Sequence, residues 1–229
     1  MNLKYFFFVS KIYIFFTFSL FANTSLFGQK YDSFQGKLVY SIEMADTSLQ
    51  RMIPPKRMTI YTNDTIVRIE NETDQLGKQV IIKHIVLNKS ILLIDNKGSH
   101  YAIQTDLSKE QNKAEVDSIK NKYILKKKIG KRKILNLKAN RMSVGVEGQE
   151  KKIEILYLKN MSPKYIDAFE GVPGLPVRYY INSEYGVAVY TLIYIEKTPI
   201  DKDYFGIPSN YKRVSFDQFL DEVLKGNEQ

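Results

Sequence analysis

The stretch that decides the fold is Phe169-Glu170-Gly171-Val172-Pro173-Gly174-Leu175-Pro176, which runs directly into the apolar-rich residues 177–181. Each proline fixes φ and lacks a backbone N–H donor, so the stretch fits neither a helix interior nor a central strand. The glycines permit positive φ or close approach of another backbone. We therefore predict a rigid loop that holds Val172 and Leu175 over a core and then starts a strand.

This loop has two interpretations. It is either a structural Pro/Gly turn, or it borders a groove and contacts a ligand or a partner protein. The second interpretation gives a candidate binding loop of six residues: Gly171, Val172, Pro173, Gly174, Leu175 and Pro176.

The same six residues resemble the signature hexapeptide of the GLPGLI family. Val172 replaces a leucine and Pro176 replaces an isoleucine, and the other positions match. Residues 34–40 (FQGKLVY) and 205–211 (FGIPSNY) also resemble this family and its neighbours. The family consists of secreted or periplasmic proteins of Bacteroidota with no established activity. The resemblance implies an antiparallel β fold similar to the periplasmic lipoprotein carriers of the LolA and LolB type, and it implies no catalytic residues.

Residues 1–28 have the pattern of a signal peptide. Lys4 and Lys11 supply positive charge around an apolar, aromatic-rich segment. We expect cleavage after Gly28, with a cut nearer Ala22 as the alternative. The apolar run is too short and interrupted for a transmembrane helix, so no membrane span is expected after cleavage. Together with the resemblance, this predicts the periplasm, cell surface or exterior of a Gram-negative bacterium.

Residues 29–229 are enough for a single domain with a substantial core. The chain has 34 Lys and Arg against 25 Asp and Glu, and a net charge of +9. It contains no cysteine, which excludes disulfides, thiol catalysis and thiolate metal sites. Its 16 Tyr and 13 Phe can bury large areas instead.

Alternation of apolar and polar residues recurs along the chain and predicts a meander of short strands. In residues 36–44, for example, Leu38, Tyr40 and Ile42 share one face. Further strands are predicted at 57–62, 65–70, 80–87, 90–95, 100–104, 123–137, 139–146, 152–158, 177–181 and 187–196. The last of these is almost continuously apolar, so we expect it to be central and covered on both faces.

Two helices are also predicted. Residues 107–122 are rich in charged and amide side chains, which is typical of a surface helix. Residues 215–225 begin with Ser215 and Gln218 at capping-box spacing and carry an apolar stripe. The sequence therefore predicts a mainly β (α+β) domain: a curved antiparallel sheet or half-barrel with a surface helix and a C-terminal helix.

No catalytic or cofactor motif is evident. His84 and His100 are the only imidazoles and lie on separate predicted strands, whereas a metal site needs three or four convergent ligands. A nucleophile elbow, a zinc-binding helix motif and a phosphate loop are missing. We predict a non-enzymatic protein without a cofactor. An enzyme that uses His84 or His100 with scattered carboxylates is the third hypothesis.

The densest run of charge is KKKIGKRK at residues 126–133. It is either a surface for anionic lipid or polysaccharide, or an edge strand whose lysines prevent edge-to-edge pairing. A nucleic-acid partner is not expected, because stacking aromatic residues are missing and the compartment is wrong. The candidate surface residues are Lys126, Lys128, Lys131, Arg132 and Lys133.

Two tripeptides, Asp64-Thr65-Ile66 and Asp117-Ser118-Ile119, resemble the acceptor pattern for O-glycosylation of exported proteins in this bacterial group. Thr65 and Ser118 are therefore candidate modification sites.

Two functions follow from the predicted architecture. The leading hypothesis is a binding module that holds a lipid, an acylated protein or another apolar ligand in the concavity of the sheet, by analogy of fold. The alternative is a protein-interaction component of an envelope or secretion assembly, which docks through the Pro/Gly loop or a sheet edge.

Overall fold

The computed structural model describes residues 31–45, 56–73, 77–96, 98–106, 123–146, 152–166, 171–183 and 186–225. The strands in these ranges are β1 Gly36–Met44, β2 Arg57–Thr62, β3 Ile66–Thr73, β4 Gly77–His84, β5 Lys89–Asn96, β6 Ser99–Asp106, β7 Tyr123–Ile134, β8 Leu137–Val146, β9 Lys152–Leu158, β10 Leu175–Ser183, β11 Gly186–Lys197 and β12 Lys212–Val214. The α-helix, α1, is Phe216–Lys225, and 3-10 helices lie at Pro163–Tyr165 and Lys202–Phe205. The predictions of a signal peptide, a surface helix at 107–122 and a modification at Ser118 fall outside the described residues.

All twelve strands form one open sheet in the order β12-β6-β5-β4-β3-β2-β1-β11-β10-β9-β8-β7. Two meanders, β2 to β6 and β7 to β11, are joined by β1, which pairs with both β2 and β11. The prediction of a mainly β protein with paired sequential strands is confirmed. The parallel pairing of β12 with β6 was not predicted.

Most of the core lies on one face of this sheet, which we call the inner face. Leu38, Tyr40, Ile60, Tyr179 and Leu192 are almost completely buried there. The register places Leu38 opposite Ile60 and Tyr40 opposite Leu192, so the alternation read from the sequence marks the correct face. Burial of such large apolar side chains is the main stabilising contribution to the fold.

Strand β10 begins at Leu175, two residues before the predicted start, and it includes Pro176. The expectation that this stretch could not belong to a central strand is therefore wrong. The proline fits because β10 is paired only with β9 at this point, and its pairing with β11 starts at Arg178 after a register shift. A residue without an N–H donor is tolerated at a strand start and beside a bulge.

Strand β11 is central, between β1 and β10, but the prediction that both of its faces are covered is wrong. Ile193 is 39% exposed and Tyr194 is 44% exposed. The register with β1 shifts between Val39 and Tyr40, and Ile193 has no partner on β1. A bulge of this kind redirects side chains, and here it coincides with two neighbouring residues that reach solvent.

The chain after β11 covers both faces of the sheet at the β6 edge. On the outer face, Ile207 and Tyr211 pack against a cluster formed by Val80, Ile82, Leu93 and Ala102. Strand β12 then pairs with β6, and α1 returns to the inner face, where the Phe219 ring meets Tyr101 at 5.2 Å. The predicted capping box is confirmed, since Ser215 N donates to Gln218 Oε1 and Gln218 N donates to Ser215 Oγ.

Candidate functional site on the inner face

A row of aliphatic side chains crosses the inner face from strand to strand. Each member lies directly opposite the next in the register of its pair of strands. The row consists of Ile195, Leu38, Ile60, Ile69, Ile81, Leu92, Ile103 and Val214. Adjacent strands are about 4.8 Å apart, so the row gives the inner face a continuous apolar path across eight strands.

The row is covered unequally. Leu38 and Ile60 belong to the main core cluster, whereas Leu92 and Ile103 belong to a second cluster that α1 covers. Between β1 and β6 the half-buried members are Ile69 and Ile81, where the two clusters meet. The junction of the two clusters is therefore the least covered part of the path between β1 and β6.

Two amide side chains lie beside this junction and define what we call the amide pair. Asn71 on β3 is directly opposite Gln79 on β4, and each is two residues from Ile69 or Ile81 on the same face. Asn71 is 7% exposed and Gln79 is 5% exposed. Asn71 Oδ1 and Gln79 Oε1 are both buried and have no hydrogen-bond partner among the described residues.

The neighbours of the amide pair in its own row are apolar. Asn71 is opposite Met58 on β2, and Gln79 is opposite Ile94 on β5. Polar side chains on the other side of the aliphatic row are engaged in interactions: Thr62 Oγ1 donates to Ile66 O over 2.9 Å, and Lys83 and Ser90 also have partners. The amide pair thus combines two vacant acceptors with an apolar surrounding.

These amides were not identified from the sequence as candidate site residues. One predicted strand ended at residue 70 and the next began at residue 80, so both amides lay outside the predicted strands. The signal that could have found them is the alternation itself. Continued by one more step, it places Asn71 and Gln79 on the same face as Ile69 and Ile81.

The Pro/Gly loop lies elsewhere on the inner face. Val172 is 1% exposed and Leu175 is completely buried, and both belong to the main core cluster. Leu175 N donates to Met161 O over 2.9 Å, which ties the start of β10 to the segment after β9. The burial favours the structural interpretation of the loop, and a role of the loop in binding stays a prediction.

The candidate basic residues lie on β7, the outermost strand at one edge of the sheet. Glu154 on β9 gathers three basic groups: Arg141 at 2.7 Å, Arg132 at 3.3 Å and Lys128 at 3.4 Å. Desolvation opposes ionisation of this carboxyl, but the hydrogen bonds from Arg141 and Lys128 outweigh it and lower the pKa of Glu154. Lys126, Lys131 and Lys133 are exposed residues of the same strand.

The two histidines are not brought together. His84 pairs with Lys89 and His100 pairs with Asp95, which are six residues apart on β5, so about 20 Å separates them along the sheet. His100 Nδ1 lies 2.8 Å from Asp95 Oδ1. Within the part of the chain that the structure describes, no group of three or more potential metal ligands is found.

Asp95 also accepts a hydrogen bond from the Tyr211 hydroxyl over 2.5 Å. Partial burial opposes ionisation of Asp95, but the hydrogen bonds from Tyr211 and His100 lower its pKa. Burial, together with the Asp95 carboxylate, raises the pKa of Tyr211 to about 12. The simplest role of this group is to fasten the residues before β12 to the outer face.

Thr65 is exposed in the turn between β2 and β3, and its hydroxyl donates to Asn63 Oδ1 over 3.0 Å. The neighbouring Asp64 adopts a positive φ of 76° and pairs with Lys164 Nζ at 2.7 Å. Asp64 also accepts hydrogen bonds from Ser33 and from the buried Tyr165 hydroxyl. Glycosylation of Thr65 stays a prediction.

The described residues define a mainly β protein built on one large open sheet, in which no helix is long and apolar enough to cross a membrane. The sequence matches no family model and no curated protein. Two solved structures of PNGF-II, in the C2 and P21 space groups, are similar to it with TM-scores of 0.48 and 0.47 at 15% and 16% identity. Each similarity covers 84% of this chain and 33% of the PNGF-II chain, so this chain spans about one third of the length of the protein it matches. A likeness at this level gives no information on function.

Proposed function

We propose that the protein is a non-enzymatic binding module that holds an amphipathic, lipid-like ligand on the inner face of its sheet. The observation that carries the proposal is the amide pair, in which the Asn71 and Gln79 oxygens are buried side by side and receive no hydrogen bond from any described residue. The polar head of the ligand would donate to these oxygens, and its apolar part would lie along Ile69 and Ile81.

The cost of leaving such oxygens unpaired supports this function. The large majority of buried side-chain polar atoms in folded proteins have a hydrogen-bond partner. A buried acceptor without one destabilises a protein by about 1–3 kcal/mol. Two unpaired acceptors at facing positions of neighbouring strands destabilise the protein considerably. A hydrogen-bond donor from a bound molecule would remove this penalty.

The surroundings of the amide pair favour an amphipathic ligand over a fully polar one. Met58 and Ile94 flank the pair within its row, and the half-buried Ile69 and Ile81 lie in the next row. A polar ligand would gain the hydrogen bonds but would have to desolvate its remaining groups against these apolar side chains. A molecule with a small donor head and an apolar tail fits both features.

The alternative, a protein-interaction module that docks through the Pro/Gly loop, has less support. The apolar side chains expected to contact the partner, Val172 and Leu175, are buried in the core. Docking through them would require the loop to leave the core first.

Native mass spectrometry of the protein purified from its host envelope tests the proposal. We expect a bound species of lipid mass in the wild type and its loss in the double variant Asn71→Leu/Gln79→Leu. The double variant should fold, because replacing unpaired polar groups by apolar groups of similar shape is close to neutral or stabilising. Gln104→Leu, the same change at an exposed position of β6, is the control and should retain the species. The proposal would be contradicted if the wild-type protein carried no bound species. It would also be contradicted if the wild type, the double variant and the control all carried the same species in equal amount.

A further inference from the structure

The β7 edge of the sheet combines a strand edge that no other described strand covers with a dense positive charge. Strand β7 pairs with β8 and with no other described strand. Eight basic residues lie on β7 and β8, whereas residues 123–146 contain no acidic residue. These basic residues are Lys126, Lys127, Lys128, Lys131, Arg132, Lys133, Lys138 and Arg141. Glu154, on the next strand, balances a single one of these charges.

A bulge in β7 pushes an apolar side chain out of this basic surface. Lys128 is opposite Arg141 and Lys131 is opposite Asn140, so Ile129 and Gly130 have no partners on β8. Gly130 has a positive φ of 88°, a backbone conformation that glycine adopts readily and that the bulge requires. As a result Ile129 is 97% exposed, the highest exposure among the large exposed apolar side chains described.

The bulge is fixed in place by ionic contacts on both of its sides. Lys128 and Arg132 flank it and both reach Glu154, while Arg141 Nη1 donates to Ile129 O over 3.2 Å. Ile129 is therefore presented by an anchored backbone, which reduces the ordering cost of inserting it into a partner.

We propose that this edge docks the protein onto an anionic lipid bilayer, with Ile129 inserted below the headgroups and the surrounding Lys and Arg side chains on the lipid phosphates. Two further exposed apolar residues, Ile124 on β7 and Leu135 in the β7–β8 turn, lie near the two ends of the same edge. A basic surface that carries apolar anchors matches the two parts of a bilayer interface, its charged headgroups and its acyl boundary.

An anionic polysaccharide is the competing partner for the charge, and Ile129 distinguishes the two. A polysaccharide would satisfy the basic side chains but would offer no apolar phase for a side chain that is almost fully exposed. The inference does not depend on the inner-face ligand, because none of the residues involved belongs to the aliphatic row or the amide pair.

Vesicle co-sedimentation tests the inference with the full-length mature protein. We expect binding to vesicles of phosphatidylcholine mixed with phosphatidylglycerol, weak binding to phosphatidylcholine alone, and a decrease as NaCl is raised. Ile129→Ser should weaken binding roughly tenfold. Lys126→Gln/Lys131→Gln, which leaves the Glu154 contacts intact, should weaken it roughly fivefold for each charge removed.

Matched controls locate the effect on this edge. Val86→Ser removes another apolar side chain, 75% exposed in the β4–β5 turn, and Lys89→Gln/Lys202→Gln removes two exposed charges elsewhere. Both should bind as the wild type does, and all variants should keep the wild-type melting midpoint. Equal binding by Ile129→Ser, a loss caused by Val86→Ser, or binding to a soluble anionic polysaccharide as strong as to vesicles would each overturn the inference.

Discussion

Gly174 lies directly against the carbonyl oxygen of Leu158: a Cβ on Gly174 would be 2.2 Å from that oxygen. Gly36, at the start of β1, has the same relationship to Glu196, whose carbonyl oxygen would be 2.0 Å from an added Cβ. Both glycines have φ near +150°, which is a glycine conformation. Each glycine has a structural reason, because it lets a strand start against its neighbour's backbone.

Substitution of Gly174 by alanine should be strongly destabilising. Alanine at this position would have to keep a positive φ, which costs about 1–3 kcal/mol. Its Cβ would also clash with Leu158 O, so the backbone of β9 would have to move. Gly98→Ala is the control, since Gly98 also has positive φ (85°) but no atom within 4 Å of an added Cβ. Urea unfolding should give a larger loss for Gly174→Ala, and equal losses would show that the close approach is unimportant.

Replacement of Leu175 by aspartate should unfold the domain. Leu175 is completely buried, and an unpaired buried carboxylate is strongly unfavourable. Ile193→Asp, at an exposed position of β11, should leave the melting midpoint nearly unchanged. If Leu175→Asp instead remained folded and lost a bound ligand, the loop would border the binding surface and the structural interpretation would be wrong.

Truncation of Phe219 tests whether α1 is part of the fold. This ring is 1% exposed and packs on Tyr101, so Phe219→Ala should lower the free energy of unfolding by about 3–5 kcal/mol. Asp221→Ala, on the exposed side of the same helix, should change it by less than about 0.5 kcal/mol. Near-neutral behaviour of Phe219→Ala in denaturant titrations would mean that α1 does not dock.

The Asp64 contacts should make the protein sensitive to acid. Partial burial opposes ionisation of Asp64, but the hydrogen bonds from Lys164 and Tyr165 and the Lys164 charge lower its pKa below the ordinary value of 3.8. Between the pKa of Asp64 in the folded protein and its ordinary value, the unfolded chain binds more protons than the folded one. The contribution of Asp64 to stability is therefore present above about pH 4, and it is lost as the pH falls through the pKa of the folded protein.

Asp64→Asn should flatten this part of the pH profile, because asparagine tolerates the positive φ but does not titrate. Lys164→Gln should flatten it less, since the Tyr165 and Ser33 hydrogen bonds remain. Thermal melting between about pH 2 and 6 measures both effects. If the melting midpoint of Asp64→Asn fell with acid as steeply as that of the wild type, other carboxylates would be responsible for the acid sensitivity.

Local patterns in the sequence predicted most of the individual elements. The alternation of Leu38, Tyr40 and Ile42 and the capping box at Ser215 act over a few residues, so they can be read without the fold. The junction between the two meanders could not be read in this way. Alternation tells which residues share a face, but not that β1 would pair with β11 rather than only with β2.

The candidate site was missed for a related reason. Asn and Gln lack the β-branched or aromatic side chains that mark strands, so the predicted strands stopped just before Asn71 and started just after Gln79. Their burial depends on the pairing of β3 and β4 with their neighbouring strands, which places Met58 and Ile94 beside them on the same face. The edge position of β7, in contrast, was suggested by its own run of lysines.

The central claim, that the amide pair receives hydrogen bonds from an amphipathic ligand, is tested most directly by comparing two probes that share one acyl chain. Monoolein carries hydroxyl donors in its head, and methyl oleate carries none. We predict that the ligand-free wild-type protein binds monoolein more tightly than methyl oleate in isothermal titration calorimetry. We also predict that Asn71→Leu/Gln79→Leu loses this preference while Gln104→Leu keeps it. Equal binding of the two probes by the wild type, or an unchanged preference in the double variant, would contradict the account.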